Sequence, residues 1–118
     1  NGVPEALDGL LRLIAEMGME DALVQDLVRS FLERAPVYLE ELESALAAEA
    51  PERLDRAAHT MKGMCGNLRF ARLVELCERL RMAARLGDGP GGTQSLAALR
   101  AEYGAVSAAV RARWGPPD

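Results

Sequence analysis

Pro51-Glu52-Arg53-Leu54-Asp55-Arg56-Ala57-Ala58-His59-Thr60-Met61-Lys62-Gly63-Met64-Cys65-Gly66-Asn67-Leu68 reads as a single amphipathic helix. Its apolar residues Leu54, Ala58, Met61, Cys65 and Leu68 recur at intervals of three and four, the helical period. Pro51 suits a first turn, where its missing N–H is not needed, and Glu52 puts negative charge at the positive end of the helix dipole. With Leu54 as the middle of the buried stripe and about 100° per residue, Ala58, Met61 and Cys65 return to within about 40° of it. His59 is the only histidine of the chain, and it falls about 140° away, on the solvent side. Lys62 lies at about 80°, Gly66 at about 120° and Gly63 at about 180°, so a cation and two positions without side chains surround the imidazole.

The same period organises the rest of the chain. Leu7, Leu10, Leu11 and Ile14 give a short first helix, opened at Pro4 and ended at Gly18. The second carries Leu23, Leu27, Phe31, Ala35, Tyr38 or Leu39, Leu42 and Leu46. Pro36 interrupts it, removing a backbone donor and crowding the turn before, so a kink is expected there and a full break is the alternative. After a tight connection near Gly66 to Arg69, the fourth helix buries Leu73, Leu76, Cys77, Leu80 and Ala84. Gly87-Asp88-Gly89-Pro90-Gly91-Gly92-Thr93 reads as the clearest loop. The last helix, from Gln94 to Trp114, carries Leu96, Leu99, Tyr103, Val106 and Val110, and Gly115-Pro116-Pro117-Asp118 ends it. The expected helices are thus 4–17, 20–49, 51–67, 69–87 and 94–114, in one domain over residues 1–118. Four long one-sided helices with short connections predict an all-α fold, an antiparallel up-down four-helix bundle with a short additional N-terminal helix.

Composition agrees with that architecture and removes several function classes. Apolar residues make up 49% of the chain but aromatics only 4%, so Leu, Ala and Met supply the packing, a balance that favours helices over sheets. A net charge of -4 argues against a nucleic-acid binder, which would show a basic face. Neither a membrane span nor a signal peptide is legible. Cys65 and Cys77 fall on apolar stripes and read as core thiols rather than a disulfide. The expected location is the cytoplasm, alone or within a larger sensor kinase. The first residue is Asn, which suggests a piece of a longer or a processed chain.

The glycines beside His59 ask for a reason, because each mid-helix glycine costs about 0.8–1.0 kcal/mol relative to alanine. Gly63 lies one turn after His59, where a side chain would stand against the imidazole. Its absence clears a path to the ring for another surface; the alternative is that Gly63 and Gly66 serve close helix packing. A histidine side chain in water titrates near about pH 6.5 and so offers a neutral nucleophilic nitrogen at neutral pH. Lys62 can lay its ammonium beside a phosphoryl group held there and offset its charge.

The stretch Ala58-His59-Thr60-Met61-Lys62-Gly63-Met64-Cys65-Gly66-Asn67-Leu68 resembles the signature of histidine-containing phosphotransfer (HPt) domains, whose core is His-x-x-Lys-Gly followed by small residues and a leucine. Leu73-Val74-Glu75-Leu76-Cys77-Glu78-Arg79-Leu80 is similar to the fourth helix of that family, including the Leu-Cys pair. Phe31-Leu32-Glu33-Arg34-Ala35-Pro36, with Leu39 and Leu42, is similar to the helix that precedes the motif. The likeness is strong over about residues 20–88.

The resemblance implies that His59 is a phosphoacceptor in a phosphorelay, charged by an aspartyl phosphate of a receiver domain and discharged to another receiver's aspartate. It implies charge stabilisation by Lys62 and steric access through Gly63. The expected partners are receivers and a sensor or hybrid histidine kinase, with neither nucleic acid nor membrane, and a monomer. The chain is read as a phosphocarrier rather than an enzyme, holding no cofactor or metal of its own, with magnesium supplied by the partner receiver. Arg56, Gly66, Asn67 and Arg69 are candidates for the docking surface, helped by exposed apolar residues on the first helix. Two positions depart from the family pattern. Arg81 stands where a polar residue often reaches the phosphohistidine, and could bind phosphoryl oxygens or be simply solvated. Met64 replaces a small residue and could cap the core or widen the docking area. Three rivals remain: a silent adaptor that only docks receivers, a chemotaxis-kinase-type acceptor charged by an ATP-binding domain, and a zinc site using His59 with Cys65, for which four ligands are wanted.

Overall fold

The computed structural model describes residues 5–115; Pro4 and residues 116–118, read above as the opening and end of the chain's helices, lie outside them. A 3-10 turn at Glu5–Leu7 leads into α1, Asp8–Met17. The long helices are α2, Asp21–Ala47; α3, Pro51–Asn67; α4, Ala71–Leu86; and α5, Gly89–Trp114. α3 packs on α2 and α4, and α5 packs on α4 and α2, so the four close a ring around one core. Asp55 faces Arg81 and Lys62 faces Glu78, so the numbering rises along α3 as it falls along α4. No helix among the described residues is long and apolar enough to cross a membrane.

Gly18 ends α1 in the left-handed conformation (φ 61°), with its N–H on the Ile14 carbonyl. α1 itself is fastened to the turn after α3. A Cβ at Gly9 would stand 2.3 Å from the Arg69 carbonyl oxygen, and Glu16 pairs with the Arg69 guanidinium at 3.0 Å. The stripes expected on α3 and α4 are buried throughout. On α5, Leu96, Leu99, Val106 and Val110 are buried and Tyr103 half-buried. Three of the five aromatic rings meet in the core, with Phe31 5.2 Å from Phe70 and 5.9 Å from Tyr103. Cys65 and Cys77 are free, buried thiols that face each other across α3 and α4. The hydrogen bond with Cys77, then burial, pushes the Cys65 thiol up.

Two expectations change, and the alternative of a full break at Pro36 is removed. At the start of α2, Leu23 and Leu27 are exposed, and Val24 and Val28 are buried in their place. Both sets continue the stripe backward from Phe31 at helical spacing, so periodicity cannot choose between them. The far end of α5 chooses: Val110 and Trp114 border the same hollow as Val28 and Leu32, which draws that side of α2 inward.

α2 also runs unbroken through Pro36. Proline has no N–H to give the Leu32 carbonyl four residues earlier. Tyr103 of α5 donates its hydroxyl to that carbonyl instead, at 3.3 Å. Tyr103→Phe is therefore expected to lower stability by about 1–3 kcal/mol, the cost of a half-buried acceptor left unpaired. Urea titration measures it; an unchanged midpoint would mean that the hydroxyl contributes nothing.

Lastly, the segment read as a loop over Gly87–Thr93 is mostly helix. Gly87 caps α4 in the left-handed conformation (φ 66°), and α5 begins at Gly89. The Asp88 carboxylate caps it by accepting from the Gly91 N–H at 2.9 Å, and Pro90 sits in the first turn. An acid before an early proline is a helix-start signal that the glycine count obscured. Gly92 is buried there, and a Cβ on it would come within 2.7 Å of Leu46 Cδ2.

Candidate functional site

α3 turns its apolar stripe so firmly inward that the opposite face is determined. Leu54, Ala57, Ala58, Met61 and Cys65 are buried, and His59 is exposed. At the end of α3, Phe70 and Arg69 donate their backbone N–H groups to the Cys65 and Gly66 carbonyls at 2.9 and 3.0 Å. Arg69 adopts φ 56° to make that closure. The helix is thus held at both ends, by Pro51 and by this turn, and presents His59 from a rigid element.

The glycines are not there for packing. A Cβ at Gly63 would meet nothing within 4 Å, and one at Gly66 would make only an ordinary 3.9 Å contact with Val74. Both positions are exposed. Of the docking candidates, Arg56, Asn67 and Arg69 are exposed as well. The Arg56 carbonyl accepts from the Thr60 hydroxyl at 3.2 Å, and Arg69 is engaged by Glu16. Met64 is partly buried and packs on the core. Among exposed apolar side chains, Met17 lies at the end of α1 and Met82 follows Arg81 on α4.

His59 lines a shallow depression of about 420 Å³ together with Glu52, Asp55, Arg56 and Arg81. Arg81 is only 17% exposed, so it is not a solvated arginine. Its Nε donates to Asp55 Oδ1 at 2.8 Å, and its Nη1 lies 3.8 Å from Glu78 Oε2. The same Glu78 oxygen accepts from Lys62 Nζ at 2.5 Å. Four charges of alternating sign, Asp55, Arg81, Glu78 and Lys62, therefore run from one turn before His59 to one turn after it. Hydrogen bonding to Arg81 holds the Asp55 carboxyl below its ordinary range, and hydrogen bonding to Lys62 does the same for Glu78. Asp55 in turn raises Arg81. The two cations singled out in the sequence for the phosphoryl group, Lys62 and Arg81, are thus already partnered.

Sequence reasoning missed Asp55 and Glu78. The four-residue step from Asp55 to His59 and the three-residue step from Glu78 to Arg81 were legible as same-face pairs. Which helix each acid would face was not. Cys65 lies in the core while His59 points out, so the two do not come together as a metal pair.

A comparison with protein families matches the model described as "Hpt domain" over residues 26–109 of the 118. No curated protein and no solved structure gives a match.

Proposed function

The chain belongs to the Hpt domain family, and on that premise we propose that His59 accepts a phosphoryl group from an aspartyl phosphate of one receiver domain and passes it to the aspartate of another. Membership itself implies histidine phosphotransfer in phosphorelay signalling, with receivers and kinases as partners and a carrier's role rather than a catalyst's. The observation that supports the assignment to His59 most directly is the open space at Gly63. A glycine that costs helix stability and relieves no packing contact is accounted for by access to the imidazole beside it.

In the forward step a neutral ring nitrogen of His59 attacks phosphorus in line. The new nitrogen–phosphorus bond forms as the bond to the aspartyl oxygen breaks, and the carboxylate leaves with the electron pair. The other ring nitrogen keeps its proton, and the reverse sequence on a second receiver restores the neutral imidazole. Such a reaction needs positioning and charge stabilisation more than covalent help. Magnesium and the acidic pocket would come with the receiver. Lys62 would supply positive charge from this side, and Arg56, Gly66, Asn67 and Arg69 are proposed as parts of the docking surface.

The test is incubation with receiver domains charged by acetyl phosphate and magnesium. Acid-labile, alkali-stable phosphate on this chain supports the reading, and none supports an adaptor that only docks. Lys62→Ala is expected to slow transfer or shorten the phosphohistidine lifetime by up to about fivefold, the upper range for a partly exposed charge. An unchanged rate and lifetime would remove Lys62 from the chemistry.

A further inference from the structure

Two cations line the depression beside His59, and they are held differently. Arg56 is exposed on the outer side of α3. Arg81 reaches in from α4, is 17% exposed, and is tied to Asp55 at 2.8 Å. A phosphoryl group on His59 would add close to two negative charges to this hollow. The guanidinium is the natural ligand for such a group, since its fork of donors matches phosphoryl oxygens. To turn its Nε edge onto that group, Arg81 would have to leave Asp55, which holds Nε at 2.8 Å. A charge-assisted hydrogen bond would break, and the freed carboxylate would stand one turn from a dianion.

We infer that Asp55 is a positioning residue: by holding the Arg81 guanidinium between α3 and α4, it keeps that cation off the phosphoryl group and leaves the phosphohistidine ready to give the group up. The inference rests on the reading of His59 as phosphoacceptor. A carrier must both take and release its cargo, and an intermediate bound too tightly raises the barrier to the next step. Glu78 adds to this hold on Arg81 from the other side, with one of its oxygens 3.8 Å from Nη1.

Phosphoramidate tests this without any receiver. Its phosphorus–nitrogen bond breaks as one forms to His59, and ammonia leaves with the electron pair of the broken bond. At fixed phosphoramidate and ammonia, intact-mass measurement gives the plateau ratio of phosphorylated to free chain. Asp55→Asn is expected to raise that ratio about fivefold, the upper range for a partly exposed pair. Asp55→Glu, which keeps the acid, should return it towards the parent value. In an Arg81→Gln background Asp55→Asn should have little effect, because no guanidinium is left to release. A bridge that merely joined α3 to α4 would change melting and leave the ratio alone. An unchanged or lower ratio in Asp55→Asn overturns the inference, as does a rise that persists fully without Arg81, which would reduce Asp55 to direct repulsion. Labelling of the parent chain with no response to Asp55 sinks this inference alone; no labelling at His59 sinks the phosphoacceptor reading with it.

Discussion

His59→Gln is expected to abolish phosphoryl labelling from a charged receiver and to leave the fold intact. The loss is expected to be complete, because the glutamine amide offers no nucleophilic ring nitrogen and this is the chain's only histidine. The fold should not notice. The imidazole is exposed on the side of α3 opposite Leu54, Met61 and Cys65, and glutamine is at least as good a helix former. Surface substitutions of this kind change stability by about 0.5 kcal/mol or less, so the melting temperature should stay within about 3 °C. Circular dichroism and acid-labile labelling, read on the same sample, separate the two properties. Retained label would move the acceptor to another residue, and unfolding would mean that the ring is part of the core.

Gly63→Leu carries the second large effect, and its sign differs between folding and transfer. A Cβ at this position meets nothing within 4 Å, so the bundle accepts the side chain. Helix propensity then improves by up to about 1 kcal/mol. For the partner the consequence is opposite. The leucine would stand one turn beyond His59 on the exposed face, where, on the proposed function, a receiver's aspartate comes within bonding distance of the ring. Misplacement of reacting groups by even about 1 Å costs on the order of a hundredfold in rate, and that is the expected loss in receiver-driven transfer. Phosphoramidate, being small, should still label the variant, which distinguishes obstruction of a protein partner from damage to the nucleophile. A more stable variant with undiminished receiver transfer would remove access as the reason for the glycine.

Much of the site was legible because it depends on one helix. The rotation of α3 follows from the spacing of Leu54, Ala58, Met61 and Cys65, and once these are buried His59 has nowhere to go but outward. The surroundings of Gly63 were not legible in the same way. Local pattern allowed both close packing and open access, and only the empty space around its missing Cβ distinguishes them. Arg81 shows the converse. Its angle on α4 placed it near His59 correctly, yet its partner Asp55 lies on a different helix, and no period within α4 reports what α3 sets opposite.

The chain's own pattern of apolar residues settled that it is helical, where α3 and α4 lie, and which sides of them face water, since those properties arise from contacts three and four residues apart. What the assembled bundle decided was everything requiring two helices at once. Val24 and Val28 went inward over Leu23 and Leu27 because α5 lies on that side. The Leu32 carbonyl, which Pro36 cannot serve, accepts instead from Tyr103 of α5. The charges beside His59 are chained across α3 and α4 rather than along either. A periodic stripe fixes a helix's face to within about 40°, but side-chain hydrogen bonds are made or lost over about half an ångström, and only the packed neighbours set that distance.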